Sequence, residues 1–372
     1  MQKGSEASNL VLVDAGHSGV KPNVFIPGAI FVDLGVIDVC IYEKESGERE
    51  LAKTPANIEG NFNLRPDKEL RRAIERMGIN AKSTVVCYTQ SFKSGYSDQI
   101  TCGRFMWALM YAGVTDVRIL DRGIDGWKEL GYTVSASPAP PRPRTDFTCG
   151  VWDRFPLRPH LCTSCDEIEN IVDGSAAGAI LADVRSWDEF TGLRDQYPYL
   201  VGLGRIPGAR WAHWGTETYV GNDFMEKNGK MRDFAQVRQV WEEWGITEEA
   251  ASGDSTIIFY CGSGWRAAYA CTLALLMGFK NVSSYDGGFL EWNRLHRNAS
   301  SHKVLTGWND PLRNSLSSTT TQLPSGWKAV SSPLRRGYHT FVNTHTGERI
   351  AWFPSHDASE KPGCLPMPEL EL

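Results

Sequence analysis

Along the chain, short continuous apolar runs alternate with stretches in which an apolar residue recurs every third or fourth position. Leu10-Val-Leu-Val-Asp14, Thr84-Val-Val-Cys-Tyr88, Ala179-Ile-Leu-Ala-Asp183 and Thr256-Ile-Ile-Phe-Tyr260 are the runs. They are short and mostly rich in β-branched residues, which predicts buried strands. Leu70, Ala73, Ile74 and Met77 share one face of a helix, and Phe234, Val237, Val240, Trp241 and Trp244 share another. Both stretches end in Gly-Ile, at Gly78 and Gly245. A third helix, rich in Ala and Leu, is predicted from about Ala267 to Met277 and stops at Gly278. Strands alternating with helices imply parallel sheets covered on both faces, an α/β fold.

The pattern occurs twice. Ile26-Pro-Gly-Ala29 recurs as Ile206-Pro-Gly-Ala209, and Thr84–Tyr88 matches Thr256–Tyr260. Each half closes on an Asp with a Trp six residues later, Asp121 with Trp127 and Asp286 with Trp292. The proline-rich stretch Ser135-Ala-Ser-Pro-Ala-Pro-Pro-Arg-Pro-Arg144 separates them as an extended linker. Domains are therefore expected at 1–134 and 146–310, joined by 135–145.

The second half carries the chemistry. After Tyr260 comes Cys261-Gly-Ser-Gly-Trp-Arg266, and then the third helix. Strand, tight turn and helix aim backbone N–H groups and the positive end of a helix at the turn. A cysteine there is favoured as thiolate. Gly262 and Gly264 let the backbone wrap closely, and Arg266 adds a donor fork suited to an oxyanion. The plain alternative is a buried structural cysteine beside an ordinary turn. The glycines, the helix start and the arginine together favour a nucleophilic sulfur that meets an anionic substrate.

At these residues the chain resembles the tandem rhodanese-like sulfurtransferases, which carry sulfur as a cysteine persulfide; the likeness covers about residues 8–308. Cys followed by four residues and Arg is similar to the sulfurtransferases, whereas phosphatases on the same fold have five intervening residues. The resemblance implies two rhodanese-like domains and a Cys261 persulfide held by the amides of Gly262, Ser263, Gly264, Trp265 and Arg266. It also implies an anion contact at Arg185, just past the strand Ala179–Asp183, where the alternative is a salt bridge to an acid such as Glu189. Arg194 is the nearest match to a further family arginine. Thr89 stands where Cys261 stands in the other half, and a longer loop follows it, so the first half is expected to be a non-catalytic wall of the cleft. Thiosulfate is the favoured donor, with 3-mercaptopyruvate the other, and cyanide or a thiol the acceptor. No metal or organic cofactor is implied. A non-enzymatic persulfide or redox sensor and a phosphatase-like activity are the alternatives.

Beyond about Leu312 the composition turns to Ser and Thr, a polar linker over 311–322. Leu323-Pro-Ser-Gly-Trp327, Tyr338 to Asn343 and Trp352-Phe-Pro354 then resemble a WW domain over 323–356, followed by a tail over 357–372. That resemblance implies a three-stranded antiparallel sheet, with Tyr338 and Trp352 contacting proline-rich peptides. Trp327 and Pro354 would hold the fold. A hairpin docked on the other domains is the competing arrangement.

A net charge of -5 gives no reason to expect nucleic acid or membrane as partner. Met1-Gln-Lys-Gly-Ser-Glu6 lacks an apolar core, and nine cysteines without a framework fit a reducing compartment, so the cytoplasm is expected. Cys162 and Cys165 form a lone CxxC beside a Ser164–Glu167 capping box. Cys87 and Cys102 read as core residues, as do His213 and Trp214 as core or cleft wall.

Overall fold

The computed structural model of the chain describes residues 9–16, 22–39, 41–43, 49–51, 62–90, 97–144, 147, 154–176, 178–192, 203–213, 224, 226, 230–242, 244–249, 255–296, 327–331, 339–343 and 349–350. The first half contains β1 (Leu10–Gly16), β2 (Ile30–Asp33), β3 (Ile41–Glu43), β4 (Arg49–Leu51), β5 (Thr84–Tyr88) and β6 (Asp116–Ile119). Its helices are α1 (Asp67–Arg76), α2 (Ser97–Ala112) and α3 (Gly123–Glu129). The second half contains β7 (Cys162–Thr163), β8 (Ala179–Asp183), β9 (Arg210–Trp211), β10 (Thr256–Tyr260) and β11 (Val282–Tyr285). Its helices are α4 (Cys165–Val172), α5 (Trp187–Phe190), α6 (Phe234–Glu242), α7 (Trp265–Leu276) and α8 (Gly288–His296).

Two parallel sheets form the frame, ordered β2-β1-β5-β6 and β7-β11-β10-β8-β9, with β3 and β4 as a separate hairpin. The central registers coincide: Leu10 to Asp14 pair with Thr84 to Tyr88, and Ala179 to Asp183 pair with Thr256 to Tyr260. The repeated Ile-Pro-Gly-Ala segment has one task in both halves. The Ile26 amide donates to the Tyr88 hydroxyl (3.1 Å), and the Ile206 amide donates to that of Tyr260 (3.3 Å).

The expected apolar faces point inward with small departures. Leu70, Ile74, Val237, Val240 and Trp241 are buried. Phe234 opens α6 with 37% of its surface exposed, whereas Trp244 lies beyond the helix yet is fully buried among Trp187, Trp211 and Phe190. The linker is strapped down. Phe25 and Ser135 exchange backbone hydrogen bonds, and the amides of Ala139 and Arg144 donate to the carbonyls of Ala29 and Glu75. No cysteines described here are joined in a disulfide, and among the described residues no helix is long and apolar enough to cross a membrane.

The halves meet through equivalent helices. α2 and α7, each the helix that follows a central strand, pack so closely that a methyl group on Gly103 would occupy the place of the Tyr269 ring. The Thr272 hydroxyl donates to the Gly103 carbonyl (3.1 Å). One core cluster consequently runs through both halves. A charged knot closes the same seam: Arg104 of α2 binds Asp38 (2.9 Å) in its own half and Asp286 in the other. The Leu64 amide also donates to Asp286 (2.8 Å). A further antiparallel sheet comprises β12 (Trp327–Ser331), β13 (His339–Asn343) and β14 (Arg349–Ile350).

Burial pushes the Asp38 carboxyl up to about 7, outweighing the pull of Arg104, and the Asp286 charge adds to the rise. An acid with a raised folded pKa takes up a proton on folding, so its stabilisation is present at low pH and fades as pH rises. The melting temperature of the parent relative to Asp38→Asn should therefore fall as pH is raised from about 5 to about 8, measured by thermal unfolding at fixed ionic strength. A constant difference would mean that Asp38 does not titrate in this window.

Candidate active site

β10 ends at Tyr260 and α7 begins at Trp265, so residues 261–264 make the whole connection at the carboxyl end of the central strand. That is where sites collect in parallel α/β sheets. Cys261 is only 1% exposed and Ser263 is 7% exposed. The loop's carbonyls are drawn to α8: the Phe289 amide donates to Cys261 O (2.7 Å) and the Leu290 amide to Gly262 O (2.8 Å). These two bonds fix how the peptide groups at the start of the loop are turned, next to the N-terminus of α7.

Two glycines make this possible. Gly264 caps α7 at φ +84 with its α-carbon against the Asp286 backbone, so a side chain there would be both strained and obstructed. Gly288 opens α8 at φ +58, and a Cβ on it would sit 2.8 Å from Cys261 O. The first half repeats the device with a different centre. The Ile124 amide donates to Thr89 O (2.9 Å), and a Cβ on Gly123 would strike that carbonyl. Thr89 thus occupies the seat of Cys261 with a hydroxyl in place of the thiol. Residues 90–96 separate it from α2, where 262–264 suffice before α7. Within that longer loop Gln90 donates to Asp14 and to Val24 O (2.9 Å).

The two arginines expected to face a donor are arranged otherwise. Arg266 is buried in a two-pronged ion pair with Glu189 (3.0 and 2.9 Å). Arg185 pairs with Asp183 (2.7 Å), also donates to Gly204 O (2.8 Å), and lies over the Phe289 ring at 4.3 Å. The salt bridge weighed for Arg185 therefore forms with Asp183. Guanidiniums this deep must be paired, because desolvating one alone costs several kcal/mol. Burial alone would raise the Glu189 carboxyl, but Arg266 and Arg185 hold it down at about 2. Glu189 also completes a capping box with Ser186, which fixes α5.

Trp265 turns toward the other half. Its indole N–H donates to Phe62 O (3.3 Å), and the rings of Phe62 and Trp265 meet edge-on. His213 stacks on Trp211 beside Trp244, the packing role expected of it. Arg194, Trp214, Tyr338, Trp352 and Pro354 lie outside the described residues. Cys87 and Cys102 are core. Sequence reasoning missed Gly288, Phe62 and Arg104. A signal for the first was present, since Asp-x-Gly occurs at both Asp121–Gly123 and Asp286–Gly288.

Residues 164–295 match the rhodanese-like domain family. A putative thiosulfate sulfurtransferase of Haloferax volcanii is 30% identical over 223 residues, covering 59% of this chain and 68% of the relative. The chain belongs to the rhodanese-like sulfurtransferases. It is also 33% identical to the thiosulfate sulfurtransferase YnjE of Escherichia coli, over 67% of this chain and 53% of that protein. The chain thus spans about half the length of that relative. Among solved structures, the anaerobic ergothioneine biosynthesis enzyme of Chlorobium limicola, in complex with trimethyl histidine, superposes with TM-score 0.63 at 28% identity. That superposition covers 82% of this chain and 67% of the other. The rhodanese-like match contains Cys261, its loop and both buried arginine pairs.

Glu189→Ala strands the Arg266 charge and should lower unfolding free energy by about 3–5 kcal/mol. Chemical denaturation measures it; a loss below about 1 kcal/mol would show that the pair is not structural.

Proposed function

We propose that this rhodanese-like sulfurtransferase moves sulfane sulfur from a small anionic donor to cyanide or a thiol through a Cys261 persulfide. The observation that carries this reading is the placement of Cys261 in a short loop whose first two carbonyls, of Cys261 and Gly262, are taken by α8. The loop amides and the start of α7 are the donors that such a turn offers to an anionic sulfur. With thiosulfate, the favoured donor, the thiolate attacks the outer sulfur. A new S–S bond forms, the old one breaks, and sulfite leaves with the bonding pair. Cyanide or a thiolate then takes the terminal sulfur and restores the cysteine. With 3-mercaptopyruvate the broken bond is C–S, and pyruvate leaves after its carbon takes a proton.

The donor contacts proposed are the backbone amides of Gly262, Ser263, Gly264, Trp265 and Arg266. Arg185 and Arg266 act as positioning residues, since their forks hold Asp183 and Glu189. The same pairing speaks against a phosphatase, which needs an arginine turned to the phosphate. The first half, 1–134, serves as a wall that keeps Trp265 and Asp286 in place, and 146–310 carries the chemistry. The C-terminal three-stranded sheet supports a WW-like module that takes proline-rich peptides, and the cytoplasm suits the unpaired thiols.

Mass spectrometry after treatment with thiosulfate should find one added sulfur on Cys261, and Cys261→Ser should abolish thiocyanate formation from cyanide. Turnover surviving in Cys261→Ser would overturn the assignment. Truncation after about Leu312 should leave those kinetics unchanged while removing capture of proline-rich peptides. A melting temperature lowered by many degrees would instead reveal a docked hairpin.

A further inference from the structure

The CxxC pair noted in the sequence divides in the fold. The Cys162 thiol is partly buried, with Asp286 and Arg104 among its charged neighbours. Cys165 opens α4 and meets a different set. Its sulfur, a carboxylate oxygen of Glu169 and an imidazole nitrogen of His296 lie within 4.8 Å of one another. Cys165 and Glu169 are one helical turn apart on α4, so their side chains share a face. His296 is the last residue of α8, and its Nε2 stands 2.9 Å from Glu169 Oε1. The imidazole is 8% exposed and packs on Trp292, whereas Cys165 and Glu169 are half-buried.

We propose that Cys165, Glu169 and His296 bind one divalent ion of the zinc class, with water completing the coordination. The donor set is a thiolate, a carboxylate and an imidazole, the types zinc takes at tetrahedral sites. With Zn–S near 2.3 Å and Zn–N or Zn–O near 2.1 Å, tetrahedral donors are separated by roughly 3.3–3.7 Å. The three donor atoms, all within 4.8 Å of one another with Glu169 and His296 at 2.9 Å, lie about 1 Å or less from that spacing. Thiolate, carboxylate, neutral imidazole and a divalent cation sum to zero charge, which suits a partly buried place. On binding, the Cys165 proton leaves to solvent and its sulfur forms the metal bond, with no change of oxidation state.

A second observation points to the same spot. The Tyr285 side chain is fully buried, and its hydroxyl faces the Cys165 thiol and the Glu291 carboxylate, adding a polar group to the wall of the same place. The site would join the start of α4 to the end of α8, the helix whose opposite end holds the Cys261 loop. It uses neither Cys261 nor its neighbours, so its presence does not depend on the sulfur-transfer reading.

The test is titration of the full-length protein, first stripped with a chelator, with Co²⁺ as a coloured stand-in for zinc. One equivalent should produce a thiolate-to-cobalt charge-transfer band and the visible bands of tetrahedral cobalt. Cys165→Ser should remove the charge-transfer band. Glu169→Gln and His296→Gln should each weaken binding by at least the roughly tenfold that loss of even an outer partner costs. Far-ultraviolet circular dichroism confirms that each variant is folded. A parent without the band, or a band unchanged in Cys165→Ser, overturns the proposal. So does unchanged affinity in both glutamine variants, which are the deciding pair if the serine variant fails to fold.

Discussion

A connection of residues 261–264 between a parallel strand and a helix leaves little freedom in where its peptide groups point. The hydrogen bonds from Phe289 and Leu290 to the carbonyls of Cys261 and Gly262 settle that orientation. Each such bond contributes only about 0.5–1.5 kcal/mol net, but leaving a buried carbonyl unpaired would cost about 1–3 kcal/mol. The start of α8 is therefore the part on which the site's geometry rests. Gly288 is the contact that lets α8 approach, and Gly264 with Asp286 closes the far side.

Buried charge is the second organising element, and it works in pairs. Arg185 with Asp183 and Arg266 with Glu189 tie β8, α5 and α7 together within one half. Arg104 with Asp38 and Asp286 ties the halves to each other. Such pairs give modest net stability but strong geometric constraint, since removing one partner leaves a stranded charge. Asp286 belongs to both elements: its backbone abuts Gly264 and its carboxylate meets Arg104. The first half thereby reaches the Cys261 loop, while Thr89 stands at its own equivalent place.

Much of this was legible in the sequence because local rules sufficed. Thr84–Tyr88, Ala179–Asp183 and Thr256–Tyr260 are strands at the expected bounds, since buried parallel strands are continuous apolar runs between turn residues. The duplication carried over into identical registers, and the Ser164–Glu167 capping box formed as written. What was not legible is pairing at long range. Arg266 and Glu189 are 77 residues apart, and Arg104 and Asp286 are 182 apart. Nothing in spacing says which acid a buried guanidinium will choose. The Arg266 fork looked available for a donor because its loop is local, whereas its carboxylate comes from another element. Trp265 likewise read as part of the loop, yet its partner Phe62 lies in the other half.

The closeness of α2 and α7 at Gly103 has a kinematic consequence. Two lobes that share one core, a side chain packed against a bare α-carbon and a three-residue charge knot have no axis about which to swing apart. Rotation of one half against the other would expose apolar surface and break the knot together. Cys261 is 1% exposed, so approach to its thiol is a matter for the loops around it rather than for a parting of the lobes. The seam makes the two halves one rigid frame around the Cys261 loop.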